Sequence, residues 1–247
     1  MEKMFSKDTP VFEIGPKIYT YGNESVKLAQ HADQLAVKYD VQIIYSAQYF
    51  DVRPIVEATK NIFVFAQHVD GFYPGRGLGG VLPEAVRDAG AVGTLLNHAE
   101  HPLTLNQLYR AICRCREAGL VTMVCAESLE ECTAVIGLGA DAVLNETAEM
   151  IGMGNGKSHG ISDVETIEQA VHSIVPDMLV LHGAGIQDEK DVYNIIRAGA
   201  KATGATSAIF ASPDPYTAME KMICAVRQAW DDRRMLEQDQ NIIMKRR

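Results

Sequence analysis

The stretch Ile62-Phe-Val-Phe-Ala66 sets apolar residues side by side with no polar residue alternating between them. Val41-Gln-Ile-Ile-Tyr45, ahead of it, is nearly as continuous. A strand with one wet face alternates, whereas a strand covered on both faces reads as an unbroken apolar run. Such strands belong to a parallel sheet with helical crossovers. Working outward, similar runs recur at Val11–Ile14, Val41–Ala47, Ile62–Val69, Val92–Leu96, Val121–Cys125, Ala142–Leu144, Met178–Leu181 and Thr203–Ser207.

Helix-like segments lie between them: Ser25–Tyr39, Thr104–Ala118, Ser128–Leu138, Asp163–Ile174 and Asp188–Ala198. In Thr104–Ala118 the residues Leu105, Leu108, Ile112 and Cys115 fall three or four apart and make one apolar face. Ser128, with Glu131 three on, and Asp163, with Thr166 three on, read as helix starts, and Gly119, Gly139 and Gly199 as helix ends. Repeated β/α units over 247 residues fit a closed (β/α)₈ barrel better than an open doubly wound sheet. No linker, low-complexity stretch or charge block divides the chain, so a single α/β domain is expected over residues 1–247, with an N-terminal arm at 1–9 and a helical tail at 231–247.

Composition narrows the function. Acidic residues outnumber basic ones, 32 to 23, and a formal net charge of −9 repels phosphate backbones, so no nucleic-acid partner is expected. No apolar run approaches the roughly 18 residues of a membrane span, and Met1–Pro10 lacks the apolar stretch of a signal peptide, so no membrane partner is expected. Cys113, Cys115, Cys125, Cys132 and Cys224 are odd in number and show no CxxC spacing; reduced thiols in a cytoplasmic protein account for them.

In such a barrel the chemistry gathers where the strands end at their C-terminal side. Lys17, Gln67-His68, Asn97-His98-Ala99-Glu100, Cys125, Glu146 and His182-Gly183-Ala184-Gly185 all follow or close apolar runs. Glu146 is succeeded by a loop holding Gly152, Gly154 and Gly156, whose amides can approach an anion. Gly183-Ala-Gly185 and Thr206-Ser-Ala208 follow the last two runs, where barrels commonly bind phosphate. A carboxylate base, a neutral His, a Lys and a phosphate cradle suit proton abstraction beside a carbonyl. Three other signals mislead. Gly75-Arg-Gly77-Leu-Gly-Gly80 satisfies GxGxxG but sits in a loop with Pro74, without a ribose-binding acid in register. Gly156-Lys-Ser158 lacks the earlier P-loop glycine, because position 151 is Ile. His98, Glu100 and His101 lack the HExxH order and a third ligand, so no metal is expected.

The segments Phe65-Ala-Gln-His-Val-Asp70, Val81-Leu-Pro-Glu-Ala-Val86, Ala89-Gly-Ala-Val-Gly-Thr-Leu-Leu-Asn-His98, Thr122-Met-Val-Cys125 and Gly183-Ala-Gly-Ile186 resemble, in order, the triosephosphate isomerase family, and specifically its short archaeal-type branch. The resemblance extends from about Val11 to the last helix. It implies a TIM barrel that interconverts an aldose and a ketose phosphate through an enediol(ate) with no metal or other cofactor. By the same resemblance Glu146 matches the catalytic base, His98 the electrophile, Lys17 the lysine that steadies substrate charge and Glu100 the acid that positions its neighbours. Thr147–Asn155 matches a closing lid in which Gly152 contacts phosphate, and Gly183, Gly185, Thr206 and Ser207 match the rest of the cradle. The family also implies a homodimer or homotetramer.

Four positions depart from the pattern. Gly15 stands where the family has an Asn that contributes to substrate binding, and Leu78 where it has a Thr reaching into the neighbouring subunit. Ala99 replaces a Ser after the electrophile, and Thr147 replaces the Pro that opens the lid. The expected substrate is therefore glyceraldehyde 3-phosphate with dihydroxyacetone phosphate, or a closely related small phosphosugar such as a four-carbon ketose phosphate. A non-catalytic phosphometabolite-binding homologue is the alternative; an aldolase is disfavoured because Leu144-Asn-Glu146 offers no Schiff-base lysine.

Overall fold

The computed structural model describes residues 4–146, 161–183 and 185–245. Strands and helices alternate along the chain. The elements are β1 (Val11–Ile14), α1 (Gly22–Tyr39), β2 (Gln42–Ala47), α2 (Tyr49–Ala58), β3 (Ile62–Ala66), α3 (Pro83–Asp88), β4 (Gly93–Leu96), α4 (Leu105–Ala118) and β5 (Val121–Ala126). They continue with α5 (Leu129–Leu138), β6 (Ala142–Asn145), α6 (Ile161–Ile174), β7 (Leu179–His182), α7 (Glu189–Arg197), β8 (Ala202–Ala205), α8 (Ser207–Phe210) and α9 (Pro215–Lys245). Every strand pairs in parallel with its sequence neighbours, and β8 pairs back onto β1 (Glu13 opposite Gly204), closing the barrel in the order β1 to β8. Among the described residues no helix is long and apolar enough to cross a membrane.

The unbroken apolar runs are explained by two cores on opposite faces of the same strands. Along β3, Phe65 points into the barrel with Val11, Ile44, Leu95, Met123, Leu144 and Leu181. Val64 and Ala66 point outward into the layer shared with the helices, together with Phe12, Ile43, Tyr45 and Trp230. The inward set is apolar low in the barrel, where Phe5 from the N-terminal arm packs edge-on to Phe63. Toward the mouth it turns polar, at Glu13 and Ser46. Gly93 makes room for this core, since a Cβ there would meet the Phe65 ring at 2.5 Å.

Helix boundaries follow their caps. Thr104 forms a reciprocal capping box with Gln107, the Ser128 hydroxyl accepts the Glu131 N–H, and Asp188 accepts from Lys190 and Asp191. Gly119 and Gly139 end their helices in the left-handed conformation that a side chain disfavours. Four expectations are corrected. The run Ile62–Val69 is a strand only to Ala66, because its pairing with both neighbouring strands ends there, opposite Ala47 and Thr94. Thr203–Ser207 is a strand at Ala202–Ala205, since Thr206 leaves the ladder and heads α8. Asp163 lies inside α6, which begins at Ile161. Leu105 is 68% exposed, in the first turn of α4, while Leu108, Ile112 and Cys115 are buried.

Candidate active site

A cavity of about 850 Å³ opens at the C-terminal ends of the strands. Lys17, Glu100, His98, Glu146, Gly15, Gly183, Gly185, Thr206 and Ser207 all line it, so the structure brings together the described residues assigned a catalytic or substrate-binding place from the sequence, while Asn97, Ala99, Cys125 and His182 do not line it. Gly152, Thr147 and the rest of the Thr147–Asn155 segment lie outside the described residues.

His98 is placed by a tight turn after β4. Asn97 adopts a left-handed φ of 59° and is clamped on both sides: its side-chain N–H₂ bonds the Cys125 carbonyl at 3.2 Å and its oxygen accepts the Leu103 N–H at 3.0 Å. The turn aims the Glu100 backbone N–H at His98 Nδ1, 3.0 Å away. A nitrogen that accepts cannot carry the proton, so the bond fixes the neutral tautomer with hydrogen on Nε2. That Nε2 lies 3.0 Å from Glu146 Oε1. The N–H is not aligned on this oxygen, which has no hydrogen-bond partner among the described residues. Both groups are thus in contact yet available to a third.

Glu146 caps β6, where its backbone N–H bonds the Ala126 carbonyl at 3.1 Å, and it is 8% exposed. Gly183 closes the far side: a Cβ there would fall 3.1 Å from Glu146 Oε2 and 3.0 Å from Leu144 Cδ1. Lys17 follows β1 with a φ of 44°, a left-handed conformation costly for a side chain of its kind. Gln67 holds it there by donating to the Lys17 carbonyl at 2.9 Å and the Ser46 carbonyl at 3.0 Å. Lys17 Nζ meets Glu100 Oε2 at 3.0 Å.

On the opposite wall Gly185, at a φ of 72°, precedes α7, and Thr206 and Ser207 open α8. As the first residues of a helical turn, Ser207 and Ala208 have amides with no partner inside the turn. Leu78 is fully exposed in the loop between β3 and α3. Arg114 of α4 braces that loop through the Phe72 carbonyl at 2.9 Å and stacks on the Tyr73 ring.

The structure adds one group that the sequence reading did not single out, Glu13, and gives partners to four that it placed at strand ends without catalytic roles. Glu13, on β1, points into the barrel beneath the cavity, and burial pushes its carboxyl up from 4.5 to about 7; Glu146 pushes the same way, while Ser46, His98 and Lys17 pull it back. Its signal in the sequence is an acid inside an apolar strand, two residues before Gly15. Gln67 was placed at the strand end without a role; it is the clamp on Lys17. The Cys125 thiol is buried beside both carboxyls and driven well above the usual thiol range, chiefly by burial. His68 stacks on His101, and burial lowers its affinity for a proton. His182 is fully buried against Glu168 of α6, 3.2 Å away.

The sequence model of the triosephosphate isomerase family matches residues 14–214. Triosephosphate isomerase of Sulfurisphaera tokodaii is 35% identical over 226 residues, covering 90% of this chain and 97% of that protein. The enzyme of Methanobacterium bryantii is 34% identical over 223 residues, covering 89% and 98%. A crystal structure of triosephosphate isomerase from Bartonella henselae superposes with a TM-score of 0.72 at 14% identity, covering 89% of this chain and 99% of that one. At that identity the likeness is one of fold, whereas the archaeal relatives share sequence along nearly their whole length. The chain therefore belongs to the triosephosphate isomerase family, in its archaeal-type branch.

Proposed function

We propose that this chain interconverts glyceraldehyde 3-phosphate and dihydroxyacetone phosphate, with Glu146 as the base. The carboxylate takes the proton from one of the two reacting carbons and returns it to the other, while His98 Nε2 gives its proton to one reacting oxygen and recovers one from the other, so that no atom is gained or lost overall. His98, donating through Nε2, polarises the carbonyl oxygen and then stabilises the enediolate that forms. The ammonium of Lys17 offsets the negative charge of the substrate, and Glu100 holds that ammonium in place. Gly183, Gly185, Thr206 and Ser207 bound the end where the phosphate binds, with Gly152 assigned there by resemblance alone, and Gly15 lies toward the reacting end. The observation that carries this reading is the pair His98 Nε2 and Glu146 Oε1, 3.0 Å apart with the other ring nitrogen occupied by the Glu100 N–H.

The assembly proposed is a homodimer or homotetramer. Leu78, fully exposed, and the part-exposed Phe72 and Tyr73 offer apolar area to a second copy. The five cysteines are unpaired in disulfides, which fits a reducing cytoplasm. The chain is taken as one domain, residues 5–9 serving the barrel floor through Phe5.

A coupled assay with glyceraldehyde 3-phosphate tests the reaction. Rapid formation of dihydroxyacetone phosphate supports it. Absence of turnover, with activity on a four-carbon ketose phosphate instead, would move the reading to that substrate, and failure across all small phosphosugars would favour a binding protein.

A further inference from the structure

Glu13 is a buried acid that the reaction above leaves without a task. It is 7% exposed, and its Oε1 has no hydrogen-bond partner among the described residues. Leaving a carboxyl oxygen unpaired in a barrel interior is unfavourable. Leu95, Leu144 and Leu181 occupy inward positions on β4, β6 and β7 at no such cost.

The backbone around Glu13 is shaped to keep the carboxyl where it is. A Cβ on Gly204, across the β1–β8 ladder, would stand 2.9 Å from Glu13 Oε2 and 2.8 Å from the Glu13 carbonyl. A Cβ on Gly15 would stand 3.0 Å from Glu13 Oε1 and 3.1 Å from Thr206 Oγ1. Glu13 and Gly15 lie two apart and so share the inner face at this end of β1. With no side chain at 15, the carboxyl below reaches the cavity that it lines together with Lys17, His98 and Glu146.

Resting on the isomerase reading of this site, we propose that Glu13 is a further substrate-contacting residue: its carboxyl, in the acid form, donates a hydrogen bond to an oxygen on the substrate's reacting carbons. A protonated carboxyl is a donor, and an ionised one only accepts. Beside an enediolate the first stabilises the charge and the second repels it. The groups facing Glu13 set the balance. Burial and the Glu146 carboxylate favour the acid, the Ser46 hydroxyl, His98 and Lys17 favour the anion, and the net position is near neutrality, at about 7. The Cys125 thiol, which faces both carboxyls, stays protonated and adds no charge. An entering phosphosugar anion shifts the balance further toward the acid.

The test compares wild type with Glu13→Gln, which keeps a donor, and Glu13→Leu, which fills the space without one. Kinetics from pH 6 to pH 9 are paired with the affinity for 2-phosphoglycolate, a phosphate ester whose planar carboxylate imitates the enediolate. Expected is a kcat/KM for Glu13→Leu about tenfold to a hundredfold below wild type, the range for losing a hydrogen bond to a charged group. Glu13→Gln should stay within about threefold of wild type at neutral pH, the ordinary effect of exchanging one donor for another. Wild type should decline on the alkaline side of about pH 7, in kcat/KM and in phosphoglycolate binding alike, and Glu13→Gln should lack that decline. Thermal melting guards against misfolding, since an apolar residue at a buried acid position is expected to melt no lower. Wild-type kcat/KM and phosphoglycolate affinity in Glu13→Leu would overturn the proposal, as would a Glu13→Gln variant as impaired as Glu13→Leu. If wild type turns over no triose phosphate but binds phosphoglycolate with the Glu13-dependent pH break, the contact stands and the reaction assignment falls.

Discussion

His98 Nε2 lies 3.0 Å from Glu146 Oε1, while His98 Nδ1 accepts the backbone N–H of Glu100, also at 3.0 Å. Because the second contact fixes the proton on Nε2, the first places a neutral donor and a carboxylate side by side with neither saturated. His98→Asn shortens the side chain and removes this donor from the reacting oxygen. A fall in kcat of about a hundredfold to a thousandfold is expected, the cost of losing one such donor to an oxyanion. Steady-state kinetics on the purified variant check it, with little change in Tm as the accompanying sign of an intact barrel.

Gln67 acts through Lys17. Its side-chain N–H₂ bridges the Lys17 and Ser46 carbonyls and so secures a lysine whose φ of 44° the chain would otherwise relax. Gln67→Ala should raise KM about fivefold to tenfold, as expected when one hydrogen bond is lost, with kcat changed much less. Gln67→Glu, similar in shape but without the donor, should do the same. Equal KM values in all three proteins would count against the clamp.

Gly183 is small because Glu146 is close. A Cβ would press on Glu146 Oε2 at 3.1 Å and on Leu144 Cδ1 at 3.0 Å, distances at which a neighbour must give way. Gly183→Ala should lower kcat about tenfold or more, since small misplacements of a reacting group are costly. The barrel itself should remain folded, which circular dichroism and melting would verify.

Glu13 has a second consequence, for stability. Its proton is held to about pH 7 in the folded chain against an ordinary 4.5 when exposed. Between those values the folded state keeps a proton that the unfolded state has released, so stability falls as pH rises through the window and then levels off. The shift corresponds to roughly 3 kcal/mol at most. Glu13→Gln should therefore melt higher than wild type at pH 8, and the gain should shrink toward pH 4.5. Denaturation at several pH values decides it; a gain that grows on acidification would contradict the assignment.

The barrel was legible in the sequence because strands sandwiched between two cores have no polar alternation, as in Ile62–Ala66 with Phe65 inward and Val64 outward. The cap at Ser128 was legible because its capping atom is local, whereas Asp163, read the same way, lies inside α6. Strand ends were not legible. Pairing stops short of Gln67 and Thr206, at limits that only the closed barrel supplies. The mouth residues His98, Glu146 and Lys17 could be placed from their positions after apolar runs, but their mutual distances come from tertiary structure. Glu13 escaped notice because a four-residue strand, Val11–Ile14, still reads as apolar with one acid in it. Its role depends on the empty position at Gly15 and on Gly204 across the ladder, far away in sequence.

The most direct measurement is isomerisation of glyceraldehyde 3-phosphate in deuterated water, followed by NMR for wild type and Glu146→Gln. Wild type should form dihydroxyacetone phosphate carrying deuterium at the carbon that receives the proton. Glu146→Gln should be slower by about a hundredfold to ten-thousandfold, the usual contribution of a positioned base. Turnover by Glu146→Gln at the wild-type rate, or no isomerisation by wild type, would contradict Glu146 as the base of this site.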